Sequence, residues 1–224
     1  MVAARSRVGA TSLLIGAALG ALDKGQRVAY FSERLRQEQI RGRFVVLESR
    51  VNGYRFQAGF VTAEDRIALA AARERIPWSA LSLVTRRRIL PGHIDGHLFS
   101  YRPLLVIADV QPRTLEDVPR SRDSIIEGLQ RMASLARKHR VAFVVRSLLN
   151  RGRHPPEVLE LPGVGRAAEL FDSVVLLHRD VNGEPGAAGS AAAEARIVRS
   201  GGRDVEPRAV PLRFDQRFAG LLEA

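Results

Sequence analysis

The 224-residue chain contains no cysteine. That excludes a disulfide framework and any thiolate metal site, and it fits a cytoplasmic setting. It also lacks a run of about 18 apolar residues, so no segment reads as a membrane span. Met1 to Leu22 has an apolar middle but few leading charges and no cleavage-type region. It reads as strand plus helix rather than a signal peptide. Lysine is nearly missing: Lys24 and Lys138 stand against a large set of arginines. Codon bias in a GC-rich genome explains arginine in place of lysine, and the many alanines agree with it. Bias does not explain why 35 Lys+Arg outnumber 24 Asp+Glu, a formal net charge of +11. That surplus points to contact with nucleic-acid phosphates. No internal repeat is visible.

What is present is the composition of an ordinary globular domain, 46% apolar and 26% charged. The length suits one domain, 1–224, with a sizeable core. The informative stretch lies at the start, from Ala4 to Ser12, between an apolar run (Met1, Val2, Ala3) and a helix-like run from Leu13 to Leu22. A strand, a tight turn and a helix N-terminus in that order form an anion site, because the first-turn N–H groups and the helix dipole point at the ligand. Gly9 permits close backbone approach. Arg7, Val8, Gly9, Ala10, Thr11 and Ser12 are the candidate nucleotide-binding residues. Thr11 is a candidate magnesium ligand. The Gly-x4-Gly-Lys-Ser/Thr pattern is only partly met: Ala4 stands at the first glycine and Ala10 at the lysine. A plain strand-turn-helix remains the alternative.

Further along, Leu13 to Lys24 reads as a helix stopped by Gly25, and Arg27 to Phe31 as a short strand. Gln37 to Arg50 has helical spacing. Asn52-Gly53 marks a turn and Pro91-Gly92 a break. Thr62 and Asp65 form a capping box opening a helix to about Glu74. Trp78 to Val84 reads as a strand. Arg86-Arg87-Arg88 reads as a solvated charge run. Leu104 to Asp109 is the strongest buried-strand signal, an apolar run ending in an acid, as in a parallel sheet covered on both faces. Ligands bind at the carboxyl ends of such strands. Pro112 to Ser121 reads as a polar loop. Ile125, Ile126, Leu129, Met132, Ala133 and Ala136 trace one helical face within Asp123–His139. Val141 to Val145 and Asp172 to His178 are further strands, and Arg151 to Pro156 is a basic loop. Asn182 to Ala193 is Gly- and Ala-rich and reads as a mobile hairpin tip. Ala195 to Arg199 and Arg208 to Phe214 read as two hairpin strands around Gly201-Gly202. The alternation predicts an α/β fold with a mostly parallel sheet and an antiparallel C-terminal extension.

In order and spacing these pieces resemble the C-terminal, RecA-like domain of DnaB-type replicative helicases. The opening, Val2 to Thr11, is similar to that family's phosphate loop, Ala-Arg-Pro-Ser-Met-Gly-Lys-Thr, with Ser6 for proline and Ala10 for lysine. Gly25 to Ser32 resembles the next strand, which ends in Phe-Ser. Glu38-Gln39-Ile40 and the stretch from Val51-Asn52-Gly53 to Gly59 follow the family spacing. Leu104 to Gln111 resembles the Walker B strand, and Asp172 to Asp180 the family's Asp-Val-Val-Leu-Phe-Leu-Tyr-Arg-Asp segment. The resemblance implies a RecA-like P-loop fold, a twisted sheet with helices on both faces, ATP and magnesium as cofactors, and single-stranded DNA as partner. It also implies a homo-oligomer or helicase ring. The family carries a linker and an N-terminal domain ahead of this loop.

Carried over position by position, the resemblance breaks at the chemistry. The phosphate-binding lysine is Ala10 and the catalytic glutamate is Arg34, with Glu33 beside it. The Walker B aspartate falls on Ala108 without a gap, with Asp109 adjacent as the candidate metal ligand, and Gln111 keeps a polar position. The glutamine of the following strand falls on Leu148. The Lys-x-Arg pair that reaches a neighbour's nucleotide falls near Arg199 and Gly201. In the family, the loops after the Walker B strand and after the next strand line the DNA channel. Here they carry Arg113, Arg120 and Arg122, then Arg151, Arg153 and His154. The expectation is a degenerate helicase domain with weak or no hydrolysis that binds single-stranded DNA or a replication or recombination partner. Two alternatives stand beside it: an active ATP-driven motor using substituted residues, and a non-enzymatic interaction module.

Overall fold

Apolar segments too short for helices pair side by side, as their β-branched content favours. The computed structural model describes residues 1–110, 122–149, 156–161, 166–179, 190–215 and 217–223. Six strands run parallel: β1 (Val2–Ala4), β2 (Val28–Ser32), β3 (Leu81–Thr85), β4 (Leu105–Asp109), β5 (Ala142–Leu148) and β6 (Val174–Arg179). Three more extend the sheet antiparallel from β6: β7 (Ser190–Ser200), β8 (Arg203–Asp215) and β9 (Gly220–Glu223). The strand order is β3-β2-β4-β5-β1-β6-β7-β8-β9. The helices are α1 (Ala10–Asp23), α2 (Gln37–Ser49), α3 (Gly53–Gln57), α4 (Ala63–Arg75), α5 (Pro91–Tyr101) and α6 (Arg122–His139).

β4 shows how the sheet divides the core. Alternate side chains point to opposite faces. Ile107 joins Tyr30 of β2, Leu14, Ile15 and Ala18 of α1, and Phe44 of α2 on one face. Val106 and Ala108 join Phe31, Leu98 of α5, and Leu129 and Met132 of α6 on the other. β4 is therefore apolar on both faces because it is covered on both. The doubly covered sheet with a C-terminal antiparallel hairpin is the arrangement anticipated from the strand pattern, and it fits the RecA-like fold that the resemblance implied. Among the described residues, no helix is long and apolar enough to cross a membrane.

Several local readings need correction. Asn52-Gly53 is a helix start: the Asn52 side chain accepts from the Tyr54 and Arg55 amides and caps α3. Pro91-Gly92 opens α5 instead of breaking the chain, because proline at the first helical position costs no hydrogen bond. The Trp78 stretch begins as a single 3₁₀ turn, Trp78–Ala80, before β3. Of the stretch 182–193, residues 190–193 belong to β7 and so are not a loop tip; 182–189 lie outside the described residues.

The capping box at Thr62 forms as expected. Its hydroxyl accepts from the Asp65 amide at 3.1 Å, and the Asp65 carboxylate accepts from the Thr62 amide at 3.0 Å. Thr62→Ala is expected to cost about 1 kcal/mol. A denaturant titration should show a lower midpoint at unchanged slope. An unshifted midpoint would mean that α4 stands without its cap.

Candidate nucleotide site

The phosphate-type loop connects β1 to α1 at the carboxyl edge of the sheet. Gly9 is the N-cap of α1 with φ 117°, a left-handed conformation that favours glycine. It has no side chain to cap the helix, and no side-chain hydrogen bond caps the first turn. Arg7 is also left-handed, with φ 66°. The loop is strapped from one side by β6 and β8. The Arg179 guanidinium donates to the Arg7 carbonyl and lies 3.9 Å over the Phe214 ring. A Cβ on Gly9 would meet that same ring at 3.2 Å. Ala10 and Val8 are buried against Ala4 and Leu177, with Leu212 and Leu221 packed alongside. The lysine position thus looks into an apolar corner.

Thr11 and Asp109 come together, as a metal-binding pair requires. The Thr11 hydroxyl donates to Asp109 Oδ2 at 3.0 Å, and the Tyr30 hydroxyl approaches the same oxygen at 3.4 Å. Burial, then the neighbouring carboxylate, pushes the Tyr30 phenol well above its usual range. Ala108 is not at this site. It points into the opposite layer, while the regular β2–β4 register sets Asp109 opposite Ser32. Strand alternation turns Asp109 to the α1 face.

The other oxygen of Asp109 faces a buried cation. Arg146 of β5, only 5% exposed, forms an ion pair through Nε with Asp109 Oδ1, and Asp109 itself is 0% exposed. Sequence reading missed Arg146 because the apolar run before it looks complete at Val145. A magnesium ion at Thr11 and Asp109 would share its carboxylate with a covalently fixed guanidinium. These residues do not fit a divalent cation.

The remaining positions are scattered. Arg34 is exposed, and its amide donates to Ser32 Oγ at 3.4 Å. Glu33 turns away: its carboxylate accepts from the Ile89 amide at 2.7 Å. Leu148 ends β5. Arg199 is held inside its own hairpin, on Asp204 at 2.6 Å and on the Phe171 carbonyl at 2.9 Å. Gly201 sits in the tight β7–β8 turn with φ 58°. Gln111, Arg113, Arg120, Arg151, Arg153 and His154 lie outside the described residues, and Arg122 is the first residue of α6.

Beside the loop lies a cleft of about 1000 Å³, reached from Arg7 and Ser12. Arg43, Arg179 and Arg217 supply positive charge; Tyr54, Phe56 and Phe214 supply ring faces; Glu38 is also on its wall. Such a wall suits a ligand with an anionic end and a flat apolar end.

The model of the DnaB-like helicase C-terminal domain matches residues 1–222. The chain belongs to this family. Two solved structures agree in fold. The first, an ATPase domain, superposes with a TM-score of 0.84 at 18% identity, covering 100% of this chain and 83% of that one. A DnaB-like replicative helicase, described with its interactions with primase, gives 0.83 at 18% identity, covering 99% of this chain and 56% of that one. No curated protein matches. In this DnaB-like domain the loop, the Thr11–Asp109 contact and the sheet edge stay together.

Proposed function

We propose that this DnaB-like domain is a degenerate nucleotide-binding module. It takes ATP weakly at the Arg7–Ser12 loop, hydrolyses it little or not at all, and binds single-stranded DNA or a replication partner. The observation that supports the reading is the split between scaffold and chemistry. Gly9 leaves the helix N-terminus uncapped and Asp109 reaches Thr11, while an exposed Arg34 occupies the base position and an apolar corner surrounds Ala10. Backbone amides need no side chain to hold a phosphate. The aromatic and arginine wall beside Ser12 suits the base and sugar. Direct titration with ATP tests the reading; no heat and no competition at millimolar ATP would remove the nucleotide part.

The DNA part rests on the net charge of +11 and on Arg120, Arg122, Arg151 and Arg153, which fall in segments that line the channel in the family, Arg122 as the first residue of α6. The solved relative described with primase makes a primase-type protein the natural partner to try beside DNA. Binding to a single-stranded oligonucleotide should fall steeply with salt, by counterion release. Changing all four arginines to alanine should flatten the slope of log affinity against log salt by roughly 0.7 per lost phosphate contact. An unchanged slope would move the interface elsewhere. Binding with little salt dependence would favour the interaction-module alternative.

A further inference from the structure

We propose that Arg146 stands permanently where a divalent cation would act, so that this site takes phosphate groups without metal. The argument starts from Asp109. A buried carboxylate must be paired or neutralised. Here one oxygen accepts from the Thr11 hydroxyl and lies within 3.4 Å of the Tyr30 hydroxyl, while the other meets the Arg146 guanidinium. Arg146 reaches it from the adjacent strand and is itself 5% exposed. Unlike a bound ion, a guanidinium is part of the chain and cannot be chelated away. A magnesium ion would need several oxygens in near-octahedral order, beside a fixed positive charge. Among the described residues no cluster of three His, Asp or Glu side chains is present to offer them.

The consequence reaches the loop. Without a cation, a bare Asp109 anion beneath Thr11 would repel an incoming phosphate. With Arg146 on it, the pair is neutral overall, and the α1 amides keep their attraction for an anion. The occupant is therefore a polyphosphate in its metal-free form. This rests on the nucleotide reading above, but the metal half of the test does not.

The experiment has two arms on the intact chain. In the first, Mn²⁺ alone is titrated and followed by electron paramagnetic resonance. The wild type is expected to bind no Mn²⁺ that Asp109→Asn removes. Arg146→Met, which keeps length and drops charge, is expected to gain one such site. Stoichiometric, Asp109-dependent Mn²⁺ binding by the wild type would overturn the proposal. So would a folded Arg146→Met protein with no gain, since that marks a purely structural ion pair. If Arg146→Met is too unstable to titrate, a melting temperature raised by Mn²⁺ supports the proposal, and one that Mn²⁺ leaves unchanged overturns it. In the second arm, ATP is titrated in EDTA and in excess magnesium. Affinities within about twofold of each other are expected; a tenfold gain with magnesium would overturn the metal-free reading. Absence of ATP binding in both conditions would strike the nucleotide reading and leave the Mn²⁺ result standing.

Discussion

The purified chain is expected to hydrolyse ATP no faster than a buffer blank, or nearly so. Phosphoryl transfer is catalysed mainly by positioning and by charge at the phosphates, and the proposed reading puts an altered charge at each position. Ala10 supplies no ammonium and lies among Val8, Leu177 and Leu221. Arg34 is exposed and of the wrong sign for a base. Asp109 is occupied by Arg146. Arg199 is tied to Asp204 and to the Phe171 carbonyl, so it is engaged within its own chain and not extended toward a neighbour. Restoring the lysine as Ala10→Lys should tighten ATP binding by about tenfold or more, since a charged hydrogen bond contributes about 1.5–3 kcal/mol. Its stem can lie along the apolar corner with the ammonium at the rim. Turnover should not return with it. Arg34→Glu is needed as well, together with a second cation restored near Gly201. These losses are not additive, so single reversions should look alike and small. A helicase-like rate from the unaltered chain, abolished in Gly9→Asp to exclude a contaminant, would establish the active-motor alternative instead.

The scaffold was largely legible because its signals are local. The apolar run Leu104–Asp109 announces a strand covered on both faces, and Val106 and Ile107 are indeed buried from opposite sides. The Thr62 and Asp65 pair announces a helix start by its own spacing. The errors have physical causes. Pro91-Gly92 reads as a break by composition, but the proline needs no amide partner at the start of α5. The Gly/Ala-rich stretch before Ala195 hides residues 190–193 of β7, because small side chains carry little strand propensity although the ladder to β8 holds them.

At the site, legibility fails where function depends on contacts between strands. Motif spacing counts along the chain and puts the acid at Ala108. The sheet register and strand alternation put Asp109 under Thr11. Arg146 carried no signal at all: a charged residue after Phe143-Val144-Val145 reads as the strand leaving the core. Only the parallel pairing of β4 with β5 brings its side chain to Asp109. The same holds for Arg179, whose contact with the Arg7 carbonyl spans 172 positions of sequence.

Ile107→Asp is expected to destabilise the domain by on the order of 4 kcal/mol or more, because it buries a charge with no partner. Ile107 is 0% exposed, flanked by Tyr30 and Val144 on the neighbouring strands and covered by α1. Total stability of a domain is about 5–15 kcal/mol, so the variant should be near unfolding at room temperature. The contrast with Asp109 makes the test specific. Asp109 lies two residues on, on the same face and equally buried, and is tolerated because the Thr11 hydroxyl donates to it and the Arg146 charge stands against it. Ile107→Val removes one methylene and should cost about 0.5–1.5 kcal/mol, which separates lost packing from buried charge. The deficit of Ile107→Asp should shrink as pH falls toward the carboxyl range. Burial raises the folded-state pKa of such a group, so the native state takes up the proton first and regains stability there. Denaturant titrations at neutral and acidic pH measure both effects. An Ile107→Asp protein within about 1 kcal/mol of the wild type at neutral pH would mean that this face of β4 is not sealed by α1.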